Sequence, residues 1–429
     1  MRLVPRYTLR LLAVALCAST LTHSLSASAQ QAPAPAAPYA ADPAVAAPVI
    51  RPYAWIKPTL IVASGPVESF GQSNSSAITA AGNPVLAAIQ DEASLTFQVA
   101  QSRLGFWFNE KAPVRGQIEF DFADFAKSSP TAASFPRLRL AKIEWQLTDP
   151  LLLIAGQDWD LFQPMNPHCF NITAVAFLSG NTAFVRQQAK FIYHNDSLEL
   201  GGAVGMAGVN NGAKALVPEY GRIPTLAARA ALLFGAAGRV GVSAIGTSWR
   251  FAPDTPTERK ALAGAVGAYG DVTPFPGFNL RFEAYGGQNL ANLGSLSLGL
   301  GNATNDLKEI GGWLSAKYSL TEAHALTVLG GTAKVLNDED VVASYVYPAQ
   351  MAGAMPPPES AATISPTGPG IASNLTARLG YEYRYDKTIA FVAEGFMFKT
   401  KHVLNAEFDA DIDADVSAFG AELGLFFTL

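Results

Sequence analysis

The 429-residue chain has only two cysteines, Cys17 and Cys169. Cys17 falls in the leader described below, so Cys169 alone remains and no intrachain disulfide can staple a small secreted domain. Charge is scarce too: Asp, Glu, Lys and Arg make up 15% of the residues, with 35 acidic against 30 basic. Without a basic excess to neutralise phosphates, a nucleic-acid partner is excluded. Long apolar runs are also missing. The richest stretch, TLAARAALLFGAAGRVGVSAIG (225–246), is broken by Arg229 and Arg239, which excludes a transmembrane helix. GxSxG, HExxH and Walker patterns do not occur. His168, His194, His324, His402 and Cys169 have no metal-ligand spacing, and GAVGMAG and GQNLANLG lack the strand–helix context of a phosphate loop. No catalytic residue, metal or cofactor is expected.

The first residues read as an export leader. Arg2, Arg6 and Arg10 form a basic start, Leu11 to Leu21 a short apolar core, and Ala27-Ser28-Ala29 a small-x-small cleavage site. Residues 1–29 are therefore expected to be a cleavable signal peptide. Residues 30–52 are rich in Ala and Pro and read as an extended periplasmic tail that builds no core. From 53 to 429 no composition shift or linker separates further domains.

That long remainder alternates with a period of two. In NLTARLGYEYRYD (374–386), Leu375, Ala377, Leu379, Tyr381, Tyr383 and Tyr385 share one parity, and Thr376, Arg378, Glu382 and Arg384 the other. Neighbouring strand side chains point to opposite faces, so this pattern predicts a β-strand. VRGQIEFDF (114–122), VRQQAKFIY (185–193), FNLRFEAYG (278–286) and FGAELGLFFTL (419–429) follow it closely. About sixteen such segments fit the strand template. Residues 93–99 also alternate, either extending the second strand or belonging to the loop before it. Lys142 breaks the parity of its segment, which suggests a β-bulge. The connections alternate between tight turns (109–113, 148–149, 195–196, 234–238, 273–277, 320–323, 386–387) and long excursions. A meander with one tight end and one long-looped end predicts an all-β transmembrane antiparallel barrel with short periplasmic turns and long extracellular loops. Backbone groups in hydrocarbon must all be paired, so such a sheet has to close. Apolar residues then face lipid, and ionised ones line an aqueous lumen.

SRLGFWF (102–108), GQIEFDFADF (116–125), PRLRLAKIEW (136–145) and IAGQDWDLF (154–162) resemble, in order, the motifs of the DcaP-like porins of Gram-negative outer membranes. The resemblance is concentrated in residues 100–190. It implies a sixteen-stranded, homotrimeric channel passing small hydrophilic, often anionic, solutes, with outer-membrane lipid and lipopolysaccharide around it. The helical N-terminal extension of some members does not carry over to the Ala/Pro-rich 30–50. In trimeric porins the third long connection, here 159–184, folds inward as a constriction. Asp158 and Asp160 are then expected on that loop, opposite a basic wall of Arg137, Arg139, Arg186, Lys190, Arg229, Arg281, Arg378 and Arg384. The plainer alternative pairs many of these cations with Glu119, Asp121, Glu199, Glu283, Glu382 or Glu422, simply keeping the lumen wet.

Two other functions stand beside the porin. An outer-membrane lipase or protease barrel would draw on His402, Asp415 and Ser417, which form no recognisable arrangement. A plugged, non-channel barrel would be structural. EFDADIDAD (407–415) carries five same-parity carboxylates but not the spacing of a calcium loop, and reads as a solvated anionic loop.

Overall fold

A computed structural model describes residues 49–429 apart from 66, 68–92, 123–135, 172–177, 183–184, 207–222, 252–258, 291–304, 341–344, 347–362, 365–369 and 404–414. The residues expected to form a signal peptide, those of the expected tail as far as residue 48 and most of the acidic 407–415 segment lie outside the described residues.

The alternating segments form sixteen antiparallel strands. Two are interrupted: β1 runs Ile50–Ile56 and Thr59–Ala63, and β2 runs Ser94–Gln98 and Arg103–Phe108. Then follow β3 (Val114–Asp121), β4 (Arg137–Thr148), β5 (Leu151–Trp159), β6 (Val185–His194), β7 (Leu198–Gly205) and β8 (Ile223–Leu233). The second half comprises β9 (Gly238–Phe251), β10 (Arg259–Phe275), β11 (Phe278–Gln288), β12 (Lys308–Ser319), β13 (His324–Val335), β14 (Gly370–Arg384), β15 (Ile389–Val403) and β16 (Asp415–Thr428). Each strand pairs with its neighbours in sequence, and β1 pairs with β16 through Trp55↔Thr428 and Thr59↔Gly424, so the sheet closes. Residues 94–98 extend the second strand, and β1 begins at Ile50, three residues ahead of the expected boundary. A separate two-residue hairpin, Tyr345–Val346 with Thr363–Ile364, belongs to a long connection.

The expected bulge is present: the β3–β4 register shifts between Glu119 and Phe120, which face Leu140 and Leu138. The extra residue lets Arg137 and Arg139 point inward before the shift and Lys142 and Glu144 after it, while Leu138, Ile143 and Trp145 stay exposed outside.

Hydrophobicity is inverted relative to a soluble protein. Leu95, Val266, Leu379 and Phe419 are 65–70% exposed, whereas Arg378, Glu283, Glu394 and Glu422 are almost wholly buried. An apolar outer face suits lipid, where a lysine or arginine at mid-depth costs about 2–4 kcal/mol. The outward lysines at Lys308, Lys334, Lys399 and Lys401 accordingly stand at the long-loop ends of β12, β13 and β15. At the opposite end His324 stacks on Tyr381 and Tyr383, and Tyr383 on Phe391, as an aromatic girdle would require.

Candidate functional site: a loop held inside the barrel

The connection after β5 turns into the cylinder. Asp160 caps its first turn by accepting the backbone N–H of Leu161 at 2.8 Å. Leu161, Phe162 and Leu178 then pack against an inner wall of unusually apolar make-up, including Ala227, Ile245, Ala263, Ala265, Tyr285 and Ala333. Phe162 meets Tyr285 edge-on at 6.3 Å. On the return run Gly180, at φ +97°, lies directly on the backbone of Gly312 in β12, where any Cβ would collide.

The segment is fastened to side chains on several strands. Met165 donates its N–H to Glu283 at 2.6 Å, and His168 donates its own to Ser315 at 3.0 Å. The ring of His168 meets Asn279 at 2.5 Å. Burial, and then the nearby Arg281 guanidinium, push His168 down to about 4. Phe170 donates its N–H to Glu394 at 3.0 Å and accepts Lys57 Nζ at its carbonyl. Asn171 donates to Glu422 at 3.1 Å.

Glu394 and Glu422 are each half of a buried ion pair. Arg378 reaches Glu394 at 2.6 Å while lying over the rings of Phe396 and Phe398. Lys57 reaches Glu422 at 3.0 Å and Gln101 at 2.7 Å. Lys57 occupies the break in β1 and Gln101 the break in β2, so the two interruptions make room for a polar knot that holds the loop tip. Buried charges persist only when paired and hydrogen-bonded, and these are both.

The remaining wall charges form clusters across neighbouring strands. Arg137 pairs with Asp121 at 2.7 Å; Arg139 pairs with Glu119 and lies 3.6 Å from Asp121; Arg103 stands beside them on β2. A second cluster runs from Arg115 to Glu144 (2.6 Å), Lys142 to Glu144 (2.9 Å) and Asp158 (3.1 Å), and Lys190 to Asp158 (2.7 Å). Arg229 and Arg239 share Glu199, at 2.7 and 3.4 Å. The second and third of these clusters each hold one more cation than anion. Arg186 pairs with Asp160 at 2.7 Å. Nearer the turn end, Arg281 meets Asp271 at 3.1 Å, and Arg384 and Lys317 share Glu382 at 2.7 and 2.8 Å.

Asp158 thus lies on the wall, as the penultimate residue of β5, and not on the loop. Asp160 opens the loop but pairs with Arg186 on the adjacent strand. The acids at 158 and 160 therefore do not face a basic wall across the bore; each neutralises a neighbour. Sequence reasoning missed Lys57, Gln101 and Glu394, and the isolated Lys57-Pro58 inside an apolar strand was the available signal. The side chains of His402 and Asp415 lie outside the described residues. Among the described residues no cluster of His, Cys, Asp and Glu has the make-up of a metal site.

No protein-family model and no curated protein matches the sequence. Solved structures do match in fold. The outer-membrane channel DcaP of Acinetobacter baumannii aligns with a TM-score of 0.64 at 13% identity, over 89% of this chain and 97% of that one. The anion-selective porin from Comamonas acidovorans aligns at 0.53 and 10% identity, over 89% and 100%. The trimer form of OmpT, an outer-membrane protein of Vibrio cholerae, aligns at 0.50 and 12% identity, over 90% and 100%. The fold is that of the bacterial outer-membrane porins, a closed barrel made for that membrane.

Proposed function

We propose that the chain is a passive outer-membrane porin for small hydrophilic solutes, with a preference for anions set by Arg137, Arg139, Lys190 and their neighbours. The observation that carries this reading is the uneven charge of the inner wall. Among the described residues, two separate clusters on β3 to β9, around Glu144 with Asp158 and around Glu199, each carry one surplus cation. The far side has one such trio, Lys317 and Arg384 with Glu382, and there Glu283 is held by neutral donors from Met165 and Trp313. A transverse field of that sign concentrates anions along one side of the bore. The inward course of residues 160–171 and 178–182 supports a constriction between wall and loop. A homotrimer accords with the trimer form of the Vibrio OmpT barrel. The outward lysines at the long-loop rim suit lipid phosphates, in keeping with lipopolysaccharide as a neighbour.

Planar-bilayer conductance with a salt-gradient reversal potential tests the reading. The wild-type potential is expected on the anion side, and Arg137→Gln with Arg139→Gln should move it toward cations. An unchanged potential would remove these arginines from selectivity, and the absence of conductance would favour the plugged barrel. Detergent-dependent hydrolysis of phospholipid or peptide would favour the enzyme.

A further inference from the structure

At the turn end of the bore lies a cavity with two unlike walls. The space, about 530 Å³, opens between the loop tip, residues 167–170, and the turn that joins β14 to β15. Arg281 on β11, Lys317 on β12 and Arg384 on β14 border it on one side. Ala390 and Val392 on β15 and Phe426 on β16 border it on the other. The two walls run into each other along the ladder: Glu382 stands opposite Val392, and Arg384 opposite Ala390, which in turn faces Phe426.

Both walls, and the roof above them, are set by the fold. On the charged side Arg384 and Lys317 share the single carboxylate of Glu382, at 2.7 and 2.8 Å, so the trio keeps one positive charge. Arg281 is matched by Asp271 at 3.1 Å. The shared acid sits back while a cation reaches out: the Glu382 side chain is 14% exposed and that of Arg384 52%. Asp386, the acid at the lip, is occupied in closing the turn, where it accepts the backbone N–H groups of Thr388 and Ile389. The loop tip forms the roof. Gly380 on β14 admits the Phe170 ring, which a Cβ at that position would meet at 2.7 Å.

A cationic wall beside a hydrocarbon wall complements a molecule that is charged at one end and apolar along the rest. We propose that this cavity is a binding station for amphiphilic carboxylates, taking the carboxylate between Arg384 and Lys317 and the hydrocarbon along Val392 and Phe426. A hydroxylated carboxylate of the same length and charge meets the same cations but gains nothing from the second wall. The difference amounts to about tenfold in residence, about what burying two methylene groups supplies. The station deepens the porin reading and rests on it for transport, though not for binding.

Hexanoate and gluconate have the same open carbon chain and one carboxylate each, and differ only in the hydroxyl groups along it, so the pair isolates the apolar wall at constant charge. In single-channel recordings of the full-length protein, hexanoate should interrupt the current with dwell times about tenfold longer than gluconate. Val392→Thr with Phe426→Gln should bring hexanoate down to the gluconate value, and Lys317→Gln should shorten the dwell of both. Equal dwell times in the wild type, a difference that survives the first change, or dwells indifferent to the second would overturn the station. Should the double variant fail to insert, the wild-type comparison and Lys317→Gln still decide. If no channel forms, calorimetric titration of the protein held in amphipol decides separately. Hexanoate binding above gluconate and weakened by Lys317→Gln would uphold the station and refute the porin. Equal binding of the two, or a hexanoate signal unmoved by Lys317→Gln, would overturn the station.

Discussion

The inner wall has two arcs built from different material. From β2 to β7 it is a lattice of guanidinium, ammonium and carboxylate groups, with aromatic rings set among them. From β8 to β13 its long-loop half is alanine, isoleucine, leucine and tyrosine, and there the loop residues Leu161, Phe162 and Leu178 lie down as on a protein core. Apolar surface removed from water favours association by about 25 cal/mol per Å², so a chain entering the cylinder settles on the second arc and leaves the first one wet. The bore runs where it does because one side of the wall is greasy and the other is not.

The largest expected effect comes from the knot that fastens the loop beyond both arcs. Lys57→Met leaves Glu422 buried against Asn171 without its counter-ion, a loss of about 3–5 kcal/mol. The heating temperature at which the barrel loses its compact mobility in detergent gels should fall markedly. Lys57→Met with Glu422→Leu should recover much of the loss, because an apolar pair has no charge to strand. Next comes the apolar arc. Phe162→Ala removes a ring only 3% exposed and should cost about 3 kcal/mol of packing. Release of the loop would be read as a higher, noisier single-channel conductance and as new protease cleavage within 160–182. Unaltered conductance would mean that something other than packing on this arc positions the loop.

On the polar arc the same kind of change should behave differently. Lys190→Met leaves Asp158 still paired with Lys142, so stability should fall by only about 1–2 kcal/mol, while the reversal potential moves toward cations. The smallest effect is that of pH. His168 in the docked loop titrates near 4 against an ordinary 6.5, so an undocked loop takes up the proton first. Docking is therefore strongest above pH 6.5 and weakens as the pH falls toward 4. Conductance noise should grow over that window in the wild type and not in His168→Gln.

The sequence displayed one arc far better than the other. Strict alternation of charged with large apolar residues, as in β3, β6 and β14, identified inward and outward faces because lipid and water demand opposite side chains. It failed in TLAARAALL and ALAGAVGA, where alanine and glycine occupy both faces and parity carries no contrast. The greasy arc emerges only once register sets Ala227, Ala263 and Ala265 side by side with the loop. Ion partners were legible where they stood directly across a ladder, as with Arg137 and Asp121. They were hidden where distant segments meet: Lys57 and Glu422 are separated by 365 positions, and nothing local couples them. The expected connection, 159–184, starts at the residue that ends β5, and Asp158 belongs to the strand on either boundary; it is grouped with the loop only because it adjoins it.

The Lys57–Glu422 contact joins the first strand to the last, so it cannot exist until the ring is complete. Asn171 and the Phe170 carbonyl dock on that contact, which gives assembly an order: the cylinder must zip shut before its bore can narrow. A barrel stalled with its ends apart would lack the hook on which the inner segment hangs. Narrowing thereby becomes a certificate that insertion has finished.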